Sequence, residues 1–283
     1  MQGSTAIEIR LLVESDIPAA MQLKEAAGWN QTEEDWRRLL MLEPDGCFGA
    51  IKDGRLVGTT TTTTYGNELA WIGMVLVDPQ HRRQGIAAKL MNVGLEYLKD
   101  QVATIKLDAT ALGQPVYEKF GFEVESLIER WSGTASSQEC NTQSEATVNR
   151  SELFALDQLA FNADRSRLLD ALISIASVSP VLVRDADGSL SGYALARRGT
   201  RADYVGPLVA KDLEKPETLL DQVLSQLNGR RVYIDFNKEC DISTNVLSER
   251  GFVKERDLIR MSAGAASSKT SSIVIAIAGP EIG

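Results

Sequence analysis

The stretch VDPQHRRQGIAAKL (Val77–Leu90) ends an apolar run, crosses a basic turn and enters a helical pattern. His81, Arg82 and Arg83 stand just before Gly85 and the helix start, in a chain whose net charge is −9. A helix is electropositive at its N-terminus, so cations gathered there are misplaced unless an anion joins them. Free N–H groups at a helix start, added to the dipole, make a phosphate site. Small residues at Gly85, Ala87 and Ala88 let phosphates approach the backbone, and Arg82 and Arg83 add charge for a diphosphate or a ribose phosphate. Taken alone, such a loop is an ordinary solvated turn. Its surroundings decide.

Upstream, IEIRLLV (Ile7–Val13) reads as a strand and DIPAAMQLKEAAG (Asp16–Gly28) as a helix with Pro18 in its first turn. TEEDWRRLLMLE follows, with Thr32 as N-cap and Asp35 three residues on, a variant of the capping box. CFGAIKDGRLVGTTTTTTY is a hairpin turning at Asp53-Gly54. Its six threonines, Thr59 to Thr64, are β-branched and suit a half-exposed strand. ELAWIGMVLVD is a further strand. Downstream come a helix to about Lys99, the strand TIKLDA, a short helix around PVYEKF and the closing strand FEVESLIERW. The polar stretch Ser132–Thr147 reads as a linker, so the domains are expected at 1–132 and 148–283 with 133–147 between them.

The second half repeats the layout. DADGSLSGYALARRG matches KDGRLVGTTTTTTYG, with Gly188 and Gly192 in the places of Gly54 and Gly58. LSERGFVKERDLIRM matches YEKFGFEVESLIERW, with Gly251-Phe252 answering Gly121-Phe122. An internal duplication follows.

A length of 283 residues fits two domains, and 43% hydrophobic with 24% charged residues is ordinary for a soluble globular chain. The negative balance excludes general nucleic-acid binding and is compatible with a cationic small-molecule substrate. Cys47, Cys140 and Cys240 lie far apart without a CxxC pair, as in a reduced cytoplasmic protein. The N-terminus lacks the unbroken apolar core of a signal peptide. Ile273–Ala278, the most apolar run, is too short to span a membrane and reads as a late buried strand. One histidine and scattered cysteines make no metal site.

Arg82 to Ala87 has the form Q/R-x-x-G-x-G/A with Ala in the last place, lies between a strand and a helix, and is followed by YEKFGF. In these motifs, in their order over the first 131 residues, and in LDAT, the sequence resembles the Gcn5-related N-acetyltransferases (GNAT). The second half resembles a divergent copy. The resemblance implies an α/β fold: two tandem GNAT domains, each a mixed, mostly antiparallel sheet flanked by helices.

It also implies a site. The backbone of Arg83, Gln84, Gly85, Ile86, Ala87 and Ala88, with Arg82 beside it, would hold the pyrophosphate of acetyl-CoA. Val75, Leu76 and Val77 would pair with the pantetheine arm like an added strand, a backbone N–H there polarising the thioester carbonyl. Tyr117 would protonate the departing thiolate; by itself it reads as a core aromatic at a helix end. Asp108 is the candidate general base, and otherwise a turn or cap residue. Asp78 shapes the bend before Pro79, and His81 faces solvent or phosphates. TALGQP replaces the asparagine often found after this strand in the family, which weakens transfer of contacts to that loop.

Trp29, Asn30 and Trp36, between and within the first two helices, could wall an acceptor pocket, with Glu33, Glu34 or Asp35 meeting a cationic amine; capping and core packing would account for them equally. Asp164, Arg165, Arg197 and Arg198 read as an interdomain salt bridge or a solvated face. VGPLVAKDLEKPETLL in the second half lacks the glycine pattern and puts Asp212 and Glu214 where phosphates would sit, so no cofactor is expected there.

The chemistry follows from amine basicity. At pH 7 only about one alkylamine in a few thousand is neutral and nucleophilic. A base removes the proton as the amine attacks the thioester, and backbone donors hold the oxyanion. The function expected is acetyl transfer from acetyl-CoA to a primary amine of a small molecule, by a monomer or homodimer that needs no metal, membrane or nucleic acid. A CoA-binding sensor without turnover, whose second domain reads a metabolite, is the alternative from another class. A scaffold with both sites dead is the third.

Overall fold

The computed structural model describes residues 6–136, 148–212, 215–240, 242–265 and 271–283. In the first half, β1 (Glu8–Leu11) leads into α1 (Ile17–Ala26) and α2 (Glu33–Leu42). The α2 start is reciprocal: Asp35 N donates to Thr32 Oγ1 at 3.3 Å and Thr32 N to Asp35 Oδ2 at 2.7 Å, which satisfies two otherwise orphan donors. Then come β2 (Cys47–Lys52), β3 (Arg55–Tyr65), β4 (Leu69–Val77), α3 (Ile86–Leu98), β5 (Thr104–Ala109), α4 (Gln114–Tyr117) and β6 (Glu123–Thr134). Asp53 and Gly54 both have positive φ, 52° and 74°, the requirement of the tight turn joining β2 to β3.

The second half runs α5 (Arg150–Phe161), α6 (Ser166–Ser174), β7 (Val181–Arg184), β8 (Leu190–Arg197), β9 (Asp203–Ala210), α7 (Lys215–Gln226), β10 (Arg231–Asn237), α8 (Asn245–Ser248), β11 (Val253–Gly264) and β12 (Val274–Ala276). The duplication is visible in packing. A Cβ on Gly58 would lie 2.9 Å from the Leu76 carbonyl oxygen, and one on Gly192 would lie 2.9 Å from that of Val209. Each glycine lets the neighbouring strand approach at the same place in its half.

All of these strands form one sheet, in the order β1-β2-β3-β4-β5-β11-β6-β10-β12-β9-β8-β7. The halves exchange their long closing strands: β11 of the second half pairs with β5 of the first, and β6 of the first pairs with β10 of the second. A pseudo-twofold axis therefore passes between β6 and β11, which pair antiparallel with each other. Two tandem GNAT folds are present, but their sheets are continuous.

Two expectations are corrected. Thr59 to Thr63 are buried on both faces, because α3 packs over Thr60 and Thr62 through Gly94 while α1 and α2 lie on the other side. The linker does not begin at residue 133, since Gly133 and Thr134 continue β6 opposite Val232 and Arg231. Residues 137–147, including Cys140, lie outside the described residues, as does Glu214. Cys47 and Cys240 are both buried. Ile273–Ala278 contains β12, as its apolar run predicts. Among the described residues no helix is long and apolar enough to cross a membrane.

Candidate active site

The basic turn after β4 is a short 3-10 turn, Pro79–His81, whose N-cap Asp78 accepts from Gln80 N at 2.7 Å. Arg83 (φ 60°) and Gly85 (φ 76°) are both left-handed, and the first bond of α3 runs from Lys89 N to Gly85 O. Among the described residues, the N–H groups of Arg83 to Ala88 therefore have no acceptor. Alternation of handed conformations followed by a helix start gathers such N–H groups into an anion-binding concavity. Arg82, Arg83 and Gln84 are exposed around it, and a Cβ on Gly85 would meet nothing within 4 Å. His81 Nδ1 lies 3.6 Å from Asp78 Oδ1, so the two form a local pair on the turn.

β4 carries a bulge just before that turn. Thr59 faces Leu76 and Thr61 faces Gly73, leaving Met74 and Val75 opposite Thr60 alone. Met74 sits at φ 48°, an uncommon conformation for a side-chain-bearing residue, and Thr59 Oγ1 secures it by donating to the Met74 carbonyl at 2.8 Å. On its other side β4 pairs in parallel with β5 only over Leu69–Trp71 and Thr104–Lys106. Beyond these residues the strands part, and the edge of Ile72 to Val75 opens onto a cavity.

The second half makes the same fork, β9 pairing in parallel with β10 over Asp203–Val205 and Val232–Ile234. There β12 enters the gap, Val274 and Ala276 pairing with β9 and Ala276 with Phe236 of β10. The obstacle to an added strand in that half is thus the chain itself, not only the acidic Asp212 that the sequence put forward.

That cavity lies between the open edge of β4 and residues of the second half. Val75, Tyr117 and Asp108 line one part of it, Trp29 and Gln31 another, and Arg130, Arg256 and Glu281 a third. Tyr117 is half-buried edge-on to Phe122, and burial pushes its hydroxyl pKa up to about 12. It stays protonated and can donate. Asp108 is completely enclosed; burial raises its pKa, against the lowering pull of Arg260. Both its oxygens accept from that guanidinium, at 2.8 and 2.9 Å.

Asn30 clamps the halves together: its Oδ1 accepts from Arg201 N and Ala202 N, and its Nδ2 donates to Ala202 O at 2.9 Å. Trp29 lines the cavity. Trp36 does not; it is 1% exposed within the main core, because the periodicity of α2 turns it toward Leu39 and α1. Glu33 and Glu34 point outward to Arg37. Asp35 is buried; burial opposes its ionisation, but Arg38 and Arg197 outweigh that and lower its pKa to about 2. Arg197 reaches Asp35 across the domains at 3.3 Å, whereas Arg165 pairs within its own half with Asp157 and Asp164 caps Ser166. Arg198 is exposed at the mouth of a smaller adjoining cavity.

Three charged lining residues were not anticipated: Arg130, Arg256 and Glu281. Glu281 belongs to a tail after β12 that crosses back to the first half, its Oε2 accepting from Gln31 Nε2 at 2.8 Å and its Oε1 from Arg197 at 3.1 Å. Nothing in its neighbourhood of sequence marks it. Arg130 and Arg260 occupy equivalent places in the repeat, LIERW and LIRM, and a charge kept at the same place in both copies was the available signal. Among the described residues no cluster of His, Cys, Asp or Glu could hold a metal ion.

Comparison with known proteins finds one family in both halves. Residues 15–122 match a family model described as the acetyltransferase (GNAT) family, and residues 153–274 match a second, an acetyltransferase (GNAT) domain. The chain is similar to the uncharacterized N-acetyltransferase YitH of Bacillus subtilis, 28% identical over 88% of each chain. It is also similar to holothin acyltransferase of a Pseudoalteromonas species, 24% identical over 91% of this chain and 88% of that one. A solved structure from Pyrococcus horikoshii, assigned as an acetyltransferase, superposes with a TM-score of 0.82 at 24% identity, covering 100% of this chain and 97% of its own.

Proposed function

The chain belongs to the Gcn5-related N-acetyltransferases, two of whose domains it carries in tandem, and we propose that its first half uses acetyl-CoA to acetylate a primary amine of a small molecule. The observation that carries this reading is the row of unsatisfied N–H groups from Arg83 to Ala88, continuous with the bulged, unpaired edge of β4.

In this reading Arg83 to Ala88 hold the pyrophosphate through their backbone, and the edge of Val75 to Val77 hydrogen-bonds the pantetheine arm. Bound there, acetyl-CoA supplies the thioester that the amine attacks. The bulge at Met74 and Val75 turns a backbone N–H toward the carbonyl oxygen, where charge develops. Tyr117 donates a hydrogen bond to the departing sulfur. With a pKa near 12 it would have to give its proton uphill to a thiolate of ordinary pKa about 8.5, so its role is a hydrogen bond rather than complete transfer.

Asp108, expected as general base, is assigned instead to anchoring β11, because Arg260 takes both its oxygens and the second half repeats the pair with Arg130 and Asp235. The amine then loses its proton to water in the cavity.

The test is calorimetric titration of acetyl-CoA into the native chain, Gly85→Ala and Gly85→Glu. Alanine carries the strain of positive φ alone; glutamate adds a negative charge among the N–H groups. Binding of one equivalent, kept with alanine and lost with glutamate, is expected. Absence of binding to the folded native chain would overturn the reading.

A further inference from the structure

The ionic groups around the cavity do not cancel. Asp108 is held by Arg260, and Glu281 by Gln31 and Arg197. Arg130 donates to both oxygens of Asp235, at 2.7 and 2.5 Å. Arg256 is left over. It lines the cavity, has no ion pair among the described residues, and its Nε is buried without a hydrogen-bond partner. The acids on either side of it are engaged elsewhere, Glu255 with Arg231 and Asp257 with Lys254.

Its position makes the excess cation more conspicuous. Arg256 stands directly opposite Arg130 in the β11–β6 ladder, whereas the equivalent neighbour of Arg260 across the pseudo-twofold axis is Ser126. Like charges opposite one another on adjacent strands destabilise a sheet, and a half-buried cation without a partner costs more. Burial, then Arg130, lower the pKa of Arg256, and the opposing pull of Asp235 and Glu255 does not make up the difference. The symmetric fold needs only a small residue here, and the arginine appears in the one copy that faces the cavity.

Building on the acetyltransfer reading, we infer that the acceptor amine also carries an oxyanion group, a carboxylate or a phosphate, and that Arg256 is the specificity-determining residue that binds it, with Arg130 beside it. A guanidinium offers paired donors matched to such a group. The acceptor would span from Arg256 to the Val75 and Tyr117 wall, oxyanion at one end and amine at the other. Among the described residues no uncommitted carboxylate lines the cavity for a second cationic centre, so polyamines and aminoglycosides are disfavoured.

The experiment measures thiol release by the full chain with acetyl-CoA and matched acceptors: amino acids, their carboxamides, the decarboxylated amines, aminoalkyl phosphates and spermidine. Oxyanion-bearing acceptors are expected to exceed their neutral analogues about tenfold or more in kcat/KM. Comparison of amino acids with aminoalkyl phosphates identifies which oxyanion is taken. Arg256→Gln should abolish the preference through KM, leaving kcat within about threefold and acetyl-CoA binding intact, and Arg256→Lys should restore part of it.

A structural role would instead show as a lower Tm for unliganded Arg256→Gln; relief of the Arg130 repulsion predicts an equal or higher one. Preferred acceptors should raise the Tm of the native chain but not of Arg256→Gln. Turnover favouring neutral or cationic amines, no turnover of oxyanion-bearing amines despite acetyl-CoA binding, or an undiminished preference in Arg256→Gln overturns this inference alone. Failure to bind acetyl-CoA overturns the underlying reading.

Discussion

Arg260 and Asp108 face each other across β11 and β5, Nε to Oδ1 at 2.8 Å and Nη2 to Oδ2 at 2.9 Å, although 152 residues separate them in sequence. Arg130 and Asp235 repeat the arrangement across β6 and β10. Each exchanged strand is thereby fastened to its host by one two-pronged ion pair, and each guanidinium also lies over an aromatic ring, Arg260 over Trp71 and Arg130 over Tyr233.

Asp108→Asn should therefore act on stability. It leaves the enclosed Arg260 without a counter-charge, a change that costs roughly 3–5 kcal/mol when a buried pair is broken. Chemical denaturation of the purified variant checks the loss. In the surviving folded enzyme, the pH dependence of kcat/KM should still follow the acceptor amine. Disappearance of an acid-side inflection in the variant would restore Asp108 as the base.

Tyr117→Phe should lower kcat by about a hundredfold, the low end of the range for one lost donor or acid at a reacting group. Acetyl-CoA affinity should change little, since Tyr117 donates only as the sulfur departs. Thiol-release kinetics and calorimetry on the same preparation separate the two effects. An unchanged kcat removes Tyr117 from the chemistry.

Asp35 sets an acid limit on stability. Its carboxyl falls from an ordinary 3.8 to about 2 in the fold. Because the folded pKa lies below the unfolded one, the contribution is complete above the unfolded pKa and is lost as pH falls through the folded one. That difference corresponds to about 2 kcal/mol. Denaturation of native protein and Asp35→Asn should differ most at neutral pH and converge from about pH 4 toward pH 2. A constant gap over that window would contradict the assignment.

Gly73→Ala tests the tail. The added Cβ would lie 2.5 Å from the Glu281 carbonyl oxygen and 2.8 Å from its Cα, both backbone atoms with little room to yield. Overpacking of this kind costs roughly 1–3 kcal/mol. Amide hydrogen exchange should quicken across Ala278–Gly283, and the KM for the acceptor should rise while acetyl-CoA binding persists. Unaltered exchange there would mean that the first half, not the tail, absorbs the methyl group.

Local signals were legible. Asp53-Gly54 marked the hairpin, Thr32 and Asp35 the start of α2, and Gly85 after two arginines the left-handed turn into α3, because each depends on the backbone conformation of a few adjacent residues. The repeat glycines revealed the duplication for the same reason. What stayed hidden depends on distant pairing. Threonines read as half-exposed were buried because α3 and the α1–α2 pair cover opposite faces of β3. Trp36 went to the core through helix phase. Arg256 and Glu281 reach the cavity only because β11 changes hosts and the tail crosses back, and no local propensity encodes either event.

The exchange of closing strands also sets an order of events during synthesis. When residue 136 has left the ribosome, β5 still lacks the neighbour that will arrive with Val253–Gly264, and β6 has no β10 to join. The nascent first half must wait with an unpaired sheet edge until nearly the whole polypeptide has been made. Contacts this distant close late and slowly, and an open edge invites pairing with another chain. Translation and folding are thus coupled in this protein: the first half is the first made, yet it becomes whole only with the last strands of the second.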